Sequence, residues 1–191
     1  MKKIIFAVVI LATSLSLVAF TKKNKSNAAV TFTVNAQKSK VDWVGSKKSD
    51  FHTGYFPVKS GSVQVDGGKL VGGSFVIDVA GLKVTDEGGG AKLQGHLSSG
   101  DFFDISKFGE ATFTINTVDY IKADRATIKG DLSLKGIKAP VTFTAIIRNA
   151  DDKGFFAEAF FPFDRTVFGI NYGIGMVDSD VQLAIHIYGT K

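Results

Sequence analysis

Cysteine is absent from this chain of 191 residues. Its absence excludes disulfide bonds, thiolate nucleophiles, cysteine metal ligands and lipid attachment through cysteine. A chain without disulfides must be held together by its hydrophobic core. The domain of about 160 residues that follows the N-terminal segment described below is large enough to form one.

Histidine is also scarce, since the chain has only three, His52, His96 and His186. They are too scattered to show the spacing of metal ligands. The sequence also lacks a nucleophile elbow, a phosphate-binding loop and a paired-carboxylate motif. We therefore predict that the protein is not an enzyme and that it uses neither a metal nor an organic cofactor.

The excess of positive charge is confined to the N-terminus. The chain has 23 Lys and Arg against 18 Asp and Glu, a net charge of +5. Five of the lysines lie within the first 28 residues, which contain no acidic residue, so 18 basic and 18 acidic residues remain beyond them. The basicity therefore gives no support for binding nucleic acid.

The N-terminal segment has the pattern of a secretory signal peptide. Lys2 and Lys3 precede an apolar stretch at residues 4–20, and Ser26 and Ala28 occupy the two positions that a signal peptidase reads. We predict a signal peptide at residues 1–28, one domain at residues 29–191, and a periplasmic or secreted location. The stretch of about 17 residues is at the lower limit for crossing a bilayer, so an uncleaved anchor stays open as the alternative.

The rest of the chain alternates apolar and polar residues with a period of two, which is typical of strands with one apolar face. Turn signals separate the runs, for example at residues 66–68 and 151–154. Many short strands without intervening helices predict an antiparallel barrel or sandwich. One segment breaks the period: residues 91–103 fit a short helix, centred on residues 93–102, that closes one end of the barrel.

Four segments resemble motifs of the YceI-like polyisoprenoid-binding family, in the family's order. They are residues 72–78 (GGSFVID), residues 95–104 (GHLSSGDFFD) followed by 111–113 (ATF), residues 130–137 (GDLSLKGI) followed by 140–141, and residues 163–166 (FDRT) followed by 168–170. The resemblance extends from about Val30 to Tyr188. It implies an eight-stranded, lipocalin-like antiparallel barrel, export to the periplasm, and a barrel interior that holds an isoprenoid chain.

Apart from Arg165, near a strand end, the inward faces of the predicted strands carry no charge. Alone, this pattern favours a solid core, because side chains can fill an eight-stranded barrel; the resemblance implies a lipid tunnel instead. The predicted tunnel residues are Trp43, Phe75, Ile77, Phe113, Ile115, Leu132, Leu134, Phe143, Ala145, Phe161, Phe163 and Arg165.

Two polar features leave alternatives open. Arg165 is predicted either to donate to loop carbonyls, Asp164 or Asp104, or to bind a quinone or phosphate head group at the barrel mouth. His96 with Asp101 and Asp104 is read either as a helix anchor or as an acid–base or metal cluster. His52 and His186 are predicted to lie on the surface.

The leading functional hypothesis is a periplasmic protein that stores or carries a polyisoprenoid, such as an isoprenoid quinone, or another long apolar lipid. The alternatives are an exported structural or stress-related barrel with a solid core, and an enzyme acting on a lipid in the same pocket. A homodimer and a transient contact with a membrane surface are left open.

Overall fold

A computed structural model describes residues 28–191; the predicted signal peptide lies outside the described residues except for Ala28. The described chain forms strands β1 to β10, one α-helix (α1) and one 3-10 helix. Their bounds are β1 Val30–Val34, β2 Lys40–Lys47, β3 Asp50–Asp66, β4 Lys69–Asp78, β5 Lys83–Val84, α1 Gly90–Ser98, β6 Glu110–Lys122, β7 Arg125–Leu134, β8 Ile137–Asp151, β9 Gly154–Asp164, the 3-10 helix Arg165–Phe168, and β10 Asp180–Thr190.

The strands form a closed antiparallel barrel with eight positions. Neighbouring strands follow the order β2-β3-β4-β6-β7-β8-β9-β10, and β10 pairs with β2 to close the ring. β1 pairs with β10 and with β3, so β1 and β2 together fill the position between these two strands. β5 pairs with β3 on the same side as β4, so β4 and β5 together fill the next position. The predicted eight-stranded, lipocalin-like barrel is confirmed.

The alternation seen in the sequence sets which side chains face inward. On β8, Val141, Phe143 and Ala145 face the interior, while Thr142 and Thr144 are exposed. Because successive side chains of a strand point to opposite faces, the apolar set of each strand lies on the same wall. Register shifts in three of the strand pairs bend the sheet so that it can close.

Two clusters of buried residues lie towards the two ends of the barrel. The lower cluster lies at the end of the β3–β4, β6–β7 and β8–β9 turns and includes Phe32, Val63 and Phe155. The upper cluster lies at the end that carries α1 and includes Leu97 and Phe168. The side chains between these two clusters are less completely buried.

The predicted short helix is confirmed, but it ends earlier than expected. α1 ends at Ser98, because Ser99 takes an extended conformation and its N–H donates to the His96 carbonyl. Phe102 therefore lies in the turn that follows, where it packs into the upper cluster. No helix within residues 28–191 has the length and apolar character to cross a membrane.

Candidate lipid-binding cavity

The barrel interior contains a cavity of about 540 Å³. This volume lies within the range typical of small-molecule sites, about 300–1,000 Å³. The structure brings all twelve sequence-predicted site residues to its wall: Trp43, Phe75, Ile77, Phe113, Ile115, Leu132, Leu134, Phe143, Ala145, Phe161, Phe163 and Arg165. Their contact with a ligand stays a prediction.

The middle of the cavity wall is aromatic and incompletely packed. The Phe143 and Phe161 rings stack with centroids 4.6 Å apart, and Phe113 lies 5.7 Å from Phe143. Phe75, Phe113, Phe143 and Phe161 are all only half-buried, although each faces the inside of the barrel. In a solid core these side chains would be fully covered, because protein interiors pack without large voids. The interior is therefore open rather than filled.

Gly130 allows the aromatic wall to continue across β7. A side chain here would meet the Phe113 ring and the Thr114 carbonyl oxygen, each 2.4 Å from the position of its Cβ. The missing side chain leaves space for Phe113 to reach over β7 towards Phe143. Gly130 belongs to a family-like motif of the sequence, but its packing role is visible only in the structure.

The cavity reaches the surface at the end that carries α1. Lys47 and Asp50 at the β2–β3 turn line the cavity and are also about half-exposed. Tyr172 and Met176, in the loop between the 3-10 helix and β10, likewise combine cavity contact with solvent exposure. The β2–β3 turn and this loop therefore form the rim of the mouth.

Arg165 is buried beneath the loop that forms one side of the mouth, with only 4% of its surface exposed. Its Nε donates to the Asp178 carbonyl at 3.0 Å and its Nη2 to the Val177 carbonyl at 3.1 Å, while Nη1 donates to the Ile170 carbonyl. These bonds match the predicted role as a donor to loop carbonyls. Asp164 instead accepts from Thr166 and caps the 3-10 helix.

His52 is not the surface residue that the sequence predicted. It is half-buried and lines the cavity. Its Nδ1 lies 2.9 Å from Asp86 Oδ2, and Asp86 also accepts the backbone N–H groups of Thr53 and Gly89 at 2.8 Å. These bonds tie β3 to the loop that leads into α1. The sequence gives no sign of the pairing with Asp86, because no local pattern connects residues that are 34 positions apart.

The bonds to Asp86 predict a stability change in acid. The hydrogen bond with His52, with help from the Thr53 and Gly89 N–H groups, lowers the pKa of Asp86 from 3.8 to about 2. The folded state is therefore stabilised by the ionised carboxylate above about pH 4, and this contribution is lost as the pH falls towards 2. In urea unfolding across this range, the stability difference between wild type and Asp86→Asn should shrink as the pH falls.

Asp50→Asn is the matched control, since it removes an exposed carboxylate near the same end of the barrel. At near-neutral pH it should change the free energy of unfolding by no more than about 0.5 kcal/mol. A difference between wild type and Asp86→Asn that stays constant down to pH 2 would contradict the proposed role of the carboxylate.

His96 and Asp101 are brought together, but Asp104 is not part of their cluster. His96 Nε2 lies 3.2 Å from Asp101 Oδ2, and the His96 ring packs edge-on against Phe102 and Tyr172. Asp104 instead pairs with Lys107 and accepts from Ser106. Within residues 28–191, no three His, Asp or Glu side chains are grouped so that they could hold a metal ion. The geometry matches the helix-anchor hypothesis.

The sequence is similar to a known protein family and to several of its relatives. The profile of the YceI-like domain matches residues 21–188. A UPF0312 protein of Pseudomonas aeruginosa is 35% identical over 106 residues, which cover 53% of this chain and 55% of the relative. A UPF0312 protein of Shewanella baltica is 29% identical over 143 residues, covering 72% of this chain and 74% of the relative. The chain thus spans about half the length of the Pseudomonas relatives that it matches.

Solved structures share the fold. Burkholderia cenocepacia BcnA superimposes with a TM-score of 0.71 at 23% identity, covering 82% of this chain and 99% of that one. A polyisoprenoid binding domain from Saccharophagus degradans, implicated in plant cell wall breakdown, gives a TM-score of 0.66 at 15% identity, covering 83% and 97%. At these identities the structural likeness establishes the barrel fold alone.

Proposed function

The chain belongs to the YceI-like domain family, and on that basis we propose that it binds a long apolar lipid of the polyisoprenoid type in the barrel cavity. The observation that carries the proposal is the ring of half-buried aromatic side chains around the open interior. The fold neighbour from Saccharophagus degradans, described as a polyisoprenoid binding domain, supports the same class of ligand.

The energetics of such a site come from burial of apolar surface. Each methylene moved from water into the cavity contributes about 0.8 kcal/mol, and flat aromatic walls suit an unsaturated, branched hydrocarbon. Immobilising the ligand offsets much of this gain, which leaves about 0.3 kcal/mol per ligand atom. Tight binding is therefore compatible with a wall that offers few polar groups.

We propose that the protein stores or carries this lipid and catalyses no reaction on it. His96 and Asp101 pair with each other at the end of α1, where they hold the helix against Tyr172. The alternative of a structural barrel with a solid core is disfavoured by the open interior. The proposal includes export to the periplasm, which rests on the signal-like sequence of residues 1–28.

Native mass spectrometry of protein purified without detergent tests the proposal. We expect the protein mass to be increased by a bound apolar molecule, which organic extraction removes and which dissociates at higher collision energy. The extract, analysed by liquid chromatography and mass spectrometry, should contain a polyisoprenoid. A bare protein mass under gentle conditions, together with failure to take up an added isoprenoid quinone, would contradict the proposed function.

A further inference from the structure

The mouth of the cavity carries exposed apolar side chains, which we call the apolar rim. It consists of Phe51, Tyr172, Ile174 and Met176, whose exposed fractions are 59%, 43%, 60% and 71%. Single exposed apolar residues are common on protein surfaces, but adjacent ones beside an opening mark an interaction site. Three of the four lie within five consecutive residues of one loop.

Backbone geometry keeps the apolar side chains of this loop at its tip. Gly173 and Gly175 both have positive φ angles, +66° and +86°. The N–H groups of Met176 and Val177 both donate to the Gly173 carbonyl at 2.8 Å, which closes a tight turn. Because the turn is this short, Ile174 and Met176 remain exposed instead of folding back onto the barrel.

The loop is also attached firmly to the barrel. Its Tyr172 ring packs against His96 of α1, with centroids 4.5 Å apart. At its other end, the Asp178 N–H donates to the Ser46 carbonyl of β2 at 2.9 Å. Ser46 is the cross-strand partner of Phe51. Phe51 therefore lies on the strand pair to which the loop is bonded, and all four side chains are at the same end of the barrel.

The charges at this edge are balanced. Lys47 lies 3.9 Å from Asp50. With the exposed Lys48 of the same turn and Asp178 of the loop, this edge carries two positive and two negative charges. This balance gives the rim no strong attraction for an anionic partner. An interaction here would be driven by apolar burial and would depend little on salt.

We propose that the apolar rim docks on the surface of a lipid bilayer and places the cavity mouth against it; this inference rests on the proposed function. Tyr172 and Met176 line the cavity and are also exposed, so a hydrocarbon chain would pass from the bilayer into the barrel along apolar side chains. Four side chains are too few for a stable protein interface, which buries about 1,200–2,000 Å². Shallow insertion into the interfacial layer requires less.

Single cysteines test the docking directly, because the chain has no cysteine of its own. Ile174→Cys and Met176→Cys, labelled with an environment-sensitive fluorophore, should show a blue-shifted emission when phosphatidylcholine vesicles are added. The matched control is Ile121→Cys, which is 58% exposed but lies beside the β6–β7 turn at the opposite end of the barrel. It should show no shift.

The proposal would be overturned by no shift at either rim position, by an equal shift at position 121, or by a shift that appears without vesicles as the protein concentration is raised. The last result would identify the partner as a second copy of the chain. A shift that needs phosphatidylglycerol in the vesicles and disappears in high salt would also overturn it, since the rim has no excess of positive charge.

Lipid transfer separates docking from binding. In the double variant Phe51→Ser, Ile174→Ser, whose two residues belong to the rim but do not line the cavity, uptake of an isoprenoid quinone from vesicles should fall about tenfold, because interfacial binding scales with the apolar area buried. Uptake of the same quinone added from ethanol should be unchanged. If the wild type takes up no quinone from vesicles or from ethanol, the proposed lipid-binding function is wrong. If wild type and variant take up quinone from vesicles equally well, only the docking proposal is wrong.

Discussion

Arg165→Met is expected to lower the free energy of unfolding by about 3 kcal/mol or more. The substitution leaves the carbonyls of Ile170, Val177 and Asp178 without their donor. A hydrogen bond from a charged group contributes about 1.5–3 kcal/mol, and a buried group left unsatisfied costs about 1–3 kcal/mol. The hydrogen bond to the Ile170 carbonyl is the fully buried one of the three. Its loss should therefore account for the largest part of the destabilisation.

The measurement is urea unfolding, with hydrogen exchange to locate the effect. The N–H groups of residues 170–179 should lose protection first in the variant, because Arg165 connects this loop to the end of β9. Arg165→Lys should restore little stability, since an ammonium group cannot reproduce the planar arrangement of guanidinium donors.

Arg148→Met is the matched control. This arginine donates to Glu158 from an exposed position on β8, where an ion pair contributes about 0–1 kcal/mol. If Arg165→Met were as mild as Arg148→Met and lipid uptake were lost, Arg165 would be a head-group ligand rather than a structural anchor. The loop-anchor role would then be wrong.

Ala145→Phe is expected to block uptake of a polyisoprenoid while the empty barrel stays folded. Ala145 lines the cavity and pairs with Ala126 and Ala159 on the neighbouring strands. Ala145 is buried in the lower cluster, and a benzyl group here would project from a wall of small residues towards the cavity that Ala145 lines. Excluding only two methylenes of the ligand, at about 0.8 kcal/mol each, corresponds to about a tenfold loss of affinity.

Thermal melts of delipidated protein and an uptake assay measure the two effects separately. Destabilisation should stay below the roughly 1–3 kcal/mol typical of overpacking a filled core. Thr144→Phe adds the same ring one residue away on the outer face and should leave uptake unchanged. Strong destabilisation by Ala145→Phe with normal uptake would show that this part of the barrel is a solid core.

The inward faces of the strands can be predicted because they follow from local rules. Strand residues alternate between two faces, so Phe143, Ala145, Phe161 and Phe163 had to share a face once β8 and β9 were recognised. The turn signals at residues 66–68 and 151–154 match two of the turns of the barrel. The family resemblance then supplied the number of barrel positions, which alternation by itself leaves open between a barrel and a sandwich.

The contacts of polar residues were predicted less well. The sequence allows two roles for Arg165 and predicts His52 on the surface. Both depend on partners that are distant in sequence, Val177 and Asp178 for Arg165 and Asp86 for His52. Periodicity describes which face a side chain occupies but contains no information about which loop folds over it.

The sequence by itself therefore determined the strands, their inward faces, the short helix and the family. Only the tertiary structure decided whether the interior is open, where the mouth lies, and that the apolar loop at 172–176 is at the same end of the barrel as Phe51. The physical reason is that alternation is a property of one strand at a time. The volume of a cavity and the grouping of loop side chains depend on how eight strand positions and their connections are arranged together in space.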